Sequence, residues 1–176
     1  MPDMDFFTVT DINNSIERIN KLFDCMIFKQ ENSQHILFRA AFIELLIAIR
    51  DLMAKTEKYS ERISFDDDVK KTEKVKDVTD LIKFVRDAIC HPDSSNNYIE
   101  IGNIKSTFNV AFGKCNIMKI GDFEQSSNYP DDICFFFGPH GIYLNRHIIR
   151  SFTESKQKLL PILAANSRIL GFPPRT

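Results

Sequence analysis

An arginine and a histidine stand five residues apart in the stretch FVRDAICHPDSSNNY, Phe84–Tyr98, and an aspartate directly follows the arginine. Arg86 offers a planar guanidinium that can hold a phosphate through two hydrogen bonds. Asp87 and His91 are four residues apart, so on a helix they can touch, and the carboxylate would fix the imidazole tautomer. Pro92 takes the backbone of His91 out of the helix, which lets the ring swing back toward Arg86. These residues therefore predict a site that binds a phosphate and moves a proton.

Such a site suits metal-independent cleavage of RNA, because the 2′-hydroxyl of the substrate can act as the nucleophile. The segment RDAICH, Arg86–His91, resembles the Arg-polar-x-x-x-His motif of HEPN-domain proteins. That resemblance implies a helical bundle, usually dimeric, in a family with many RNases of defence, abortive-infection and toxin–antitoxin systems. It implies Arg86 and His91 as the catalytic pair, Asp87 as the polar position, and a second motif facing the first across a dimer interface. The resemblance covers the motif, its helix and the helical order, and does not extend to the later strands.

Two other interpretations of the motif stay open. In the first, the chain is a non-catalytic HEPN-like module that binds a nucleotide, RNA or a partner protein through the same cleft. In the second, it is a structural protein in which the motif is a coincidence. Catalysis requires the His91 rings of two protomers near Arg86 in a basic, solvent-open groove. A binding module could hold Arg86 in a salt bridge and leave His91 as a helix cap.

Glu44 is a candidate supporting residue because it interrupts the apolar run AAFIELLIAI. A buried carboxylate needs a partner, and Arg86 would be an attractive one. The alternative is a salt bridge within or between helices, to an arginine such as Arg39 or Arg50. The first interpretation places Glu44 at the active site, and the second makes it structural.

No sequence pattern for a bound metal or cofactor is present. The six glycines are dispersed, so there is no glycine-rich phosphate loop, and Cys25, Cys90, Cys115 and Cys134 form no close pair of zinc ligands. The acidic run Asp66–Asp68 indicates a helix N-terminus rather than a metal site. We therefore expect neither metal nor cofactor, and scattered cysteines of this kind are typical of a reduced cytoplasmic protein.

Several other residues have a functional and a structural interpretation, and the structural one is favoured for each. Cys90 could be a nucleophile beside His91, but packing inside is the simpler expectation. The run Phe135–Phe137 could stack bases, but alternation in a half-buried strand explains it. His35 is expected to be exposed near a helix N-terminus, and His140 and His147 are expected to be turn and surface residues.

Apolar residues at helical spacing predict four helices. We expect them at about residues 11–27, 33–55, 75–89 and from 145 onward. Residues near Asp11, Ser33 and Asn145 would supply caps, and Pro92 would end the third helix. The second helix is apolar around most of its circumference, so it should lie centrally and form an antiparallel hairpin with the first. The charged segment 57–77 indicates a solvated loop or an exposed helical extension.

After PDSSNN the apolar period changes to that of strands. Strands are predicted for the segments YIEI, TFNVAF, NIMKI, ICFFF and GIYL, with a hairpin around residues 138–141 and a stop at the tail GFPPRT. The prediction is a mainly α, α+β fold in one domain, 1–176. It comprises a HEPN-like helical bundle with a small antiparallel sheet inserted at about 98–144, before the last helix.

Composition restricts the class of protein further. The chain has 176 residues, 43% of them hydrophobic and 27% charged, with a net charge of −1. This argues for a globular domain and against nonspecific coating of nucleic acid, although a local basic cleft is compatible with it. The start MPDMDFFTVTDINN lacks the apolar segment of a secretory signal, and no apolar run is long enough to span a bilayer. We expect a cytoplasmic homodimer without membrane association, and RNA, a cognate antitoxin or another partner protein as its ligand.

Overall fold

The computed structural model describes residues 4–99 and 104–169, and within these ranges it contains four α-helices and seven strands. The helices are α1 (Phe6–Asp24), α2 (Phe38–Tyr59), α3 (Val78–Cys90) and α4 (Arg150–Ile169). The strands are β1 (Tyr98–Ile99), β2 (Ile104–Lys105), β3 (Thr107–Phe112), β4 (Cys115–Ile120), β5 (Phe123–Ser127), β6 (Ile133–Phe137) and β7 (His140–Tyr143). The predicted α+β class, with antiparallel strands before the last helix, is confirmed.

Helix α1 begins five residues before the predicted start at Asp11. Asp5 is its N-cap, and the carboxylate accepts a hydrogen bond from the amide of Thr8 at 2.7 Å. An aspartate in this position satisfies one of the free amides of the first turn, which fixes where the helix starts. Phe6 and Phe7 are therefore helical, although both side chains are largely exposed.

Helix α2 is the central element, since α1, α3 and α4 all pack against it. Most of its large apolar residues are buried on several sides of the helix, as the sequence predicted, whereas Ile47 is 38% exposed. The predicted start at Ser33 is wrong: a 3₁₀ turn, Gln30–Asn32, ends there, and α2 begins at Phe38 without a side-chain cap. Packing of Phe38, which is buried, compensates for the missing cap.

The segment between α2 and α3 is an ordered loop rather than a solvated one. Ile63, Val69 and Val75 are buried in the core, and Val75 precedes α3 instead of belonging to it. The Arg62 guanidinium donates to Asp77 at 2.8 Å through Nε. Asp77 in turn caps α3, because its carboxylate accepts from the amide of Asp80 at 2.9 Å. This ion-pair network fixes the direction in which α3 leaves the loop.

The acidic run Asp66–Asp68 belongs to this loop and forms a turn, so the predicted helix N-terminus there is wrong. Asp67 accepts from Arg150 Nη1 at 2.8 Å, and Asp68 accepts from the Tyr129 hydroxyl at 2.5 Å. These contacts tie the loop to α4 and to the segment before β6. Within the described ranges, no group of three or more His, Cys, Asp or Glu side chains lies close enough together to hold a metal.

The strands form three small antiparallel sheets in the described part of the chain, not the single sheet predicted. The pairings are β1–β2, β4–β5 and the three-stranded β3–β6–β7. The predicted hairpin joins β6 to β7, with Phe137 opposite His140. Strand β5 was not predicted because its sequence, FEQSS, is mostly polar. Of the predicted strand YIEI only Tyr98 and Ile99 lie inside the described residues, and the tail GFPPRT lies outside them.

One hydrophobic core joins the β3–β6–β7 sheet to the helices. The rings of Phe42 on α2 and Phe135 on β6 stack with their centroids 3.9 Å apart. Both side chains are fully buried, as is Phe137 two residues later. The predicted insertion therefore contributes to the same core as the helical bundle.

The last helix is entered through a π-helical turn, Leu144–Ile149, and Asn145 does not cap it. The buried Asp132 carboxylate performs that role, accepting from the amides of Asn145 at 2.8 Å and Arg146 at 3.1 Å. A carboxylate at this position compensates the free amides and the positive end of the helix dipole. Cap and helix come from segments separated by the β6–β7 hairpin.

His140 and His147 are buried, so their predicted surface positions are wrong. His147 accepts from the amide of Tyr143 through Nδ1, and its Nε2 lies 3.0 Å from the carbonyl oxygen of Asp67. These two contacts fix the tautomer with the proton on Nε2, and burial lowers the pKa of this imidazole. His140 packs edge-on against Phe84, and burial lowers its pKa to about 4.

Candidate functional site

Asp87 lies in the last turn of α3 and Arg86 directly precedes that turn, both on the side away from the buried stripe of the helix. The Arg86 side chain is 38% exposed and that of Asp87 is 34% exposed. Nη1 of Arg86 donates to Oδ1 of Asp87 at 2.9 Å. The guanidinium is thus partly engaged by its neighbour, while its remaining N–H groups stay available to another acceptor.

His91 ends α3, as predicted from the proline that follows it. Its backbone is extended, with φ −122° and ψ 96°, and its amide donates to the carbonyl of Asp87 at 3.2 Å. The ring is exposed, and it takes part in no hydrogen bond or ion pair with the described residues. The carboxylate of Asp87 faces Arg86, so the predicted contact between Asp87 and the imidazole is not formed.

Asn97 holds the loop that follows His91, and the sequence analysis did not single it out. This side chain is buried, and its Nδ2 lies 3.0 Å from the carbonyl of Ala88, 3.2 Å from that of His91 and 3.4 Å from that of Pro92. An asparagine amide can satisfy several free carbonyls at the end of a helix. Asn97 therefore holds the backbone of His91 in place, while the imidazole ring stays in solvent.

A cleft of about 640 Å³ opens between α1, α2 and α3, and Arg86 and Asp87 are in its wall. Its lining comprises Asp11, Asn14, Ser15 and Arg18 from α1; Ile47, Ala48, Arg50, Asp51, Ala54 and Lys55 from α2; and Lys83, Arg86 and Asp87 from α3. The α1 and α3 residues are spaced three and four apart, so each set lies on one helix face. Neither His91 nor Glu44 is part of this lining.

Positive charge exceeds negative charge in the cleft. Its lining has five cations, Arg18, Arg50, Lys55, Lys83 and Arg86, and three carboxylates, Asp11, Asp51 and Asp87, which leaves a net formal charge of +2. Cationic grooves with guanidinium groups favour phosphate ligands over neutral ones. The cleft is therefore basic, although the net charge of the whole chain is −1.

Glu44 is paired with Arg18 rather than with Arg86. Its Oε1 accepts from Nη1 of Arg18 at 2.9 Å, which joins α2 to α1. The carboxylate is 40% exposed, so it lacks the burial that would demand a partner such as Arg86. Glu44 therefore forms an interhelical salt bridge, as its structural interpretation expects, although the arginine is neither Arg39 nor Arg50.

The structure therefore brings Arg86 and Asp87 together in the cleft and leaves His91 one turn beyond them. Arg18, Arg50, Lys55 and Lys83 line the cleft, and no sequence pattern singled them out. Three of these belong to α1 and α2, far from the motif in sequence. A periodicity argument could place them on exposed helix faces, but only the packing of the helices shows that those faces meet.

The charge of the cleft suits an anion, and no histidine is among the residues that line it. No helix in the described ranges has the length and apolar character needed to cross a bilayer. Comparisons of the chain with protein-family models, with curated proteins and with solved structures found no match.

Proposed function

We propose that this chain is a metal-independent ribonuclease of the HEPN type. The observation that carries the proposal is the solvent-open cleft with surplus positive charge, which contains Arg86, while the free ring of His91 is exposed one turn further along. The helical part, with a motif at the end of α3, fits a HEPN-like bundle. On this proposal the strands between α3 and α4 are an elaboration specific to this protein.

In the proposed reaction, the 2′-oxygen of a ribose attacks the adjacent phosphorus, and the bond from phosphorus to the 5′-oxygen breaks. Arg86 stabilises the charge on the phosphorane oxygens through its planar fork. His91 accepts the proton of the 2′-hydroxyl, and a second imidazole donates a proton to the leaving 5′-oxygen. The products are a 2′,3′-cyclic phosphate and a 5′-hydroxyl.

The second imidazole requires a second protomer, because none of the four histidines of one chain is among the residues that line the cleft. We propose a two-fold dimer in which the His91 ring of each protomer reaches the cleft of the other. A stable interface of this kind buries upwards of about 1,200 Å² in total. A monomer at micromolar concentration in light scattering would contradict this part of the proposal.

The experiment that tests the proposed chemistry replaces Arg86 by lysine and identifies the product ends. Wild type should cleave single-stranded RNA equally with and without EDTA and release cyclic phosphate ends. Arg86→Lys should lower the rate by about 10²-fold or more, because an ammonium group cannot reproduce the bidentate fork. Arg18→Lys, the same exchange at the cleft arginine on α1 that pairs with Glu44, outside the motif, should change the rate by no more than about 3-fold.

Three results would contradict the proposal: loss of cleavage in EDTA, products with 3′-hydroxyl ends, or full activity of Arg86→Lys. Each is measured on the same samples. A cyclic phosphate resists phosphatase until acid opens the ring, whereas a 3′-hydroxyl end is changed by neither treatment. Products separated untreated, after phosphatase, and after acid followed by phosphatase therefore reveal the nature of the ends.

A second candidate function is binding of RNA or a nucleotide without cleavage. It is favoured by the ion pair between Arg86 and Asp87 and by the position of His91, which caps α3 outside the cleft. On this alternative the protein binds RNA through the cleft, and no RNA is cleaved under any condition. A binding measurement in parallel with the cleavage measurement separates the two functions.

A further inference from the structure

Arg50 is the cleft residue whose interactions are least complete. It extends from the central helix α2 into the cleft lining, and its Nη1 atom is buried without a hydrogen-bond partner among the described residues. A guanidinium nitrogen that is shielded from water and lacks an acceptor is unfavourable. No carboxylate among the described residues compensates this guanidinium, and the part of Arg50 that lines the open cleft is where an acceptor from outside the chain can reach it.

Three of the other four cations of the cleft have a carboxylate partner. Arg18 pairs with Glu44 at 2.9 Å, Lys55 pairs with Asp51 at 2.6 Å, and Arg86 pairs with Asp87 at 2.9 Å. In the described part of the chain, Lys83 has no ion pair, and neither does Arg50. Arg50 and Lys83 are therefore the two cations of the cleft lining without a carboxylate partner among the described residues.

We propose that Arg50 and Lys83 form a phosphate-binding subsite of the cleft, distinct from the ion pair at Arg86. A guanidinium without a carboxylate partner provides paired donors for two phosphate oxygens, and a lysine adds a mobile point charge. A cleft of about 640 Å³ has the size of a small-molecule site, so a nucleotide unit fits in it. The identification of RNA as the source of that phosphate rests on the proposed function, whereas the phosphate chemistry does not.

The test measures binding without cleavage. A fluorescent 2′-O-methyl RNA oligonucleotide lacks the 2′-hydroxyl and cannot be cleaved by the proposed route, and its binding is followed by fluorescence anisotropy. Arg50→Gln and Arg18→Gln each remove one positive charge from the same cleft, so long-range electrostatics change equally. Inorganic phosphate and a nucleoside 5′-monophosphate are then added as competitors to distinguish free phosphate ligands from the RNA backbone.

We expect Arg50→Gln to weaken binding by about 10-fold or more, the effect of losing a hydrogen bond to a charged group. Arg18→Gln should weaken it by no more than about 3-fold, and Lys83→Gln should fall between the two. Arg50→Gln should unfold at the same temperature as wild type or higher, since it removes a buried donor that has no partner. A structural role for Arg50 would instead lower that temperature.

Equal weakening in Arg50→Gln and Arg18→Gln would overturn the subsite, because it would indicate general charge attraction. Failure of wild type to bind the oligonucleotide, phosphate and the monophosphate would overturn it as well. The ribonuclease proposal fails separately. If RNA is never cleaved but Arg50→Gln selectively loses binding, the subsite stands and the ribonuclease does not. If RNA is cleaved but Arg50→Gln and Arg18→Gln bind RNA alike, the ribonuclease stands and the subsite does not.

Discussion

Acidification should destabilise the fold through His140, which is buried in β7. The ring lies against Phe84 with the centroids 4.5 Å apart, and its Nδ1 has no hydrogen-bond partner among the described residues. Burial lowers the pKa of this imidazole from 6.5 to about 4, and the charge of Lys70 acts in the same direction. In the unfolded chain the ring takes up a proton near pH 6.5. The unfolded state therefore binds more protons between pH 6.5 and 4, and the free energy of unfolding decreases as the pH falls.

The magnitude follows from the two pKa values. Each pH unit within this window removes up to about 1.4 kcal/mol for one proton, so acidification from pH 7.5 to 4.5 removes about 2.5 kcal/mol. His147 adds a loss of the same sign, since burial lowers its pKa too. Desolvation by burial acts to raise the pKa of the Asp77 carboxyl. The hydrogen bonds that this carboxylate accepts from Arg62 and from the backbone amide of Asp80 outweigh it and lower the pKa below 3.8. Its contribution is therefore lost only at lower pH, after the histidine window.

Urea denaturation of wild type and His140→Leu at pH 7.5 and 4.5 measures this effect. The loss of unfolding free energy between the two pH values should be smaller in His140→Leu by about 2.5 kcal/mol, whatever the absolute stability of the variant. His35→Gln removes an imidazole from the surface, leaves both buried rings in place and should behave like wild type. If wild type and His140→Leu lose the same unfolding free energy between pH 7.5 and 4.5, His140 does not cause the acid destabilisation.

Two further predictions concern the contacts that position α3 and the loop after it. Arg62→Met should lower the unfolding free energy by about 1–2 kcal/mol, because it leaves two partly buried aspartates without their ion-pair partner. Arg18→Met breaks an exposed ion pair and should change the unfolding free energy by less than about 0.5 kcal/mol. Equal effects in urea denaturation would contradict this. Gly138→Ala should destabilise the fold by at least about 2 kcal/mol more than Gly121→Ala. Both glycines have positive φ, but only at Gly138 would an added Cβ lie 2.3 Å from a backbone oxygen. Thermal unfolding of the two variants at the same temperature would contradict this.

The helices could be predicted from the sequence because their apolar periodicity is strong, whereas two of their starts could not. Ser33 has the chemistry of a cap, but the chain makes a 3₁₀ turn there and α2 starts at Phe38, where tertiary packing fixes it. Helix α1 starts earlier than predicted because Asp5 caps a turn whose two phenylalanines are exposed. In both cases the local signal competed with a contact that the sequence does not reveal.

Strand β5 and the buried histidines were missed for a related reason. Gln125 is polar, yet it is buried and donates to the carbonyl of Gly138 at 2.8 Å, so β5 buries hydrogen-bonding groups instead of apolar ones. His140 stands in a Gly-Pro-rich turn sequence that favours the surface, and the packing of β7 on α3 buries it. Burial of polar residues depends on distant partners, and periodicity does not report those partners.

The candidate site could be predicted in part. The order of Arg86, Asp87 and His91 at the end of a helix follows from the sequence, as does the release of His91 before a proline. The cations that make the cleft basic come from α1 and α2, and Arg50 was considered only as a partner for Glu44. Their convergence depends on how three helices pack, which spacing along one helix cannot predict.

The role of His91 is tested by the cleavage rate of single-stranded RNA by wild type and by His91→Ala, in EDTA. The ring is exposed and takes part in no hydrogen bond or ion pair with the described residues, so the substitution should change the unfolding free energy by no more than about 0.5 kcal/mol. If His91 moves the proton, His91→Ala should lower the rate by about 10²–10⁴-fold, while His35→Ala should cleave like wild type. Cleavage by His91→Ala at the wild-type rate, or wild type that cleaves no RNA, would contradict the proposed ribonuclease.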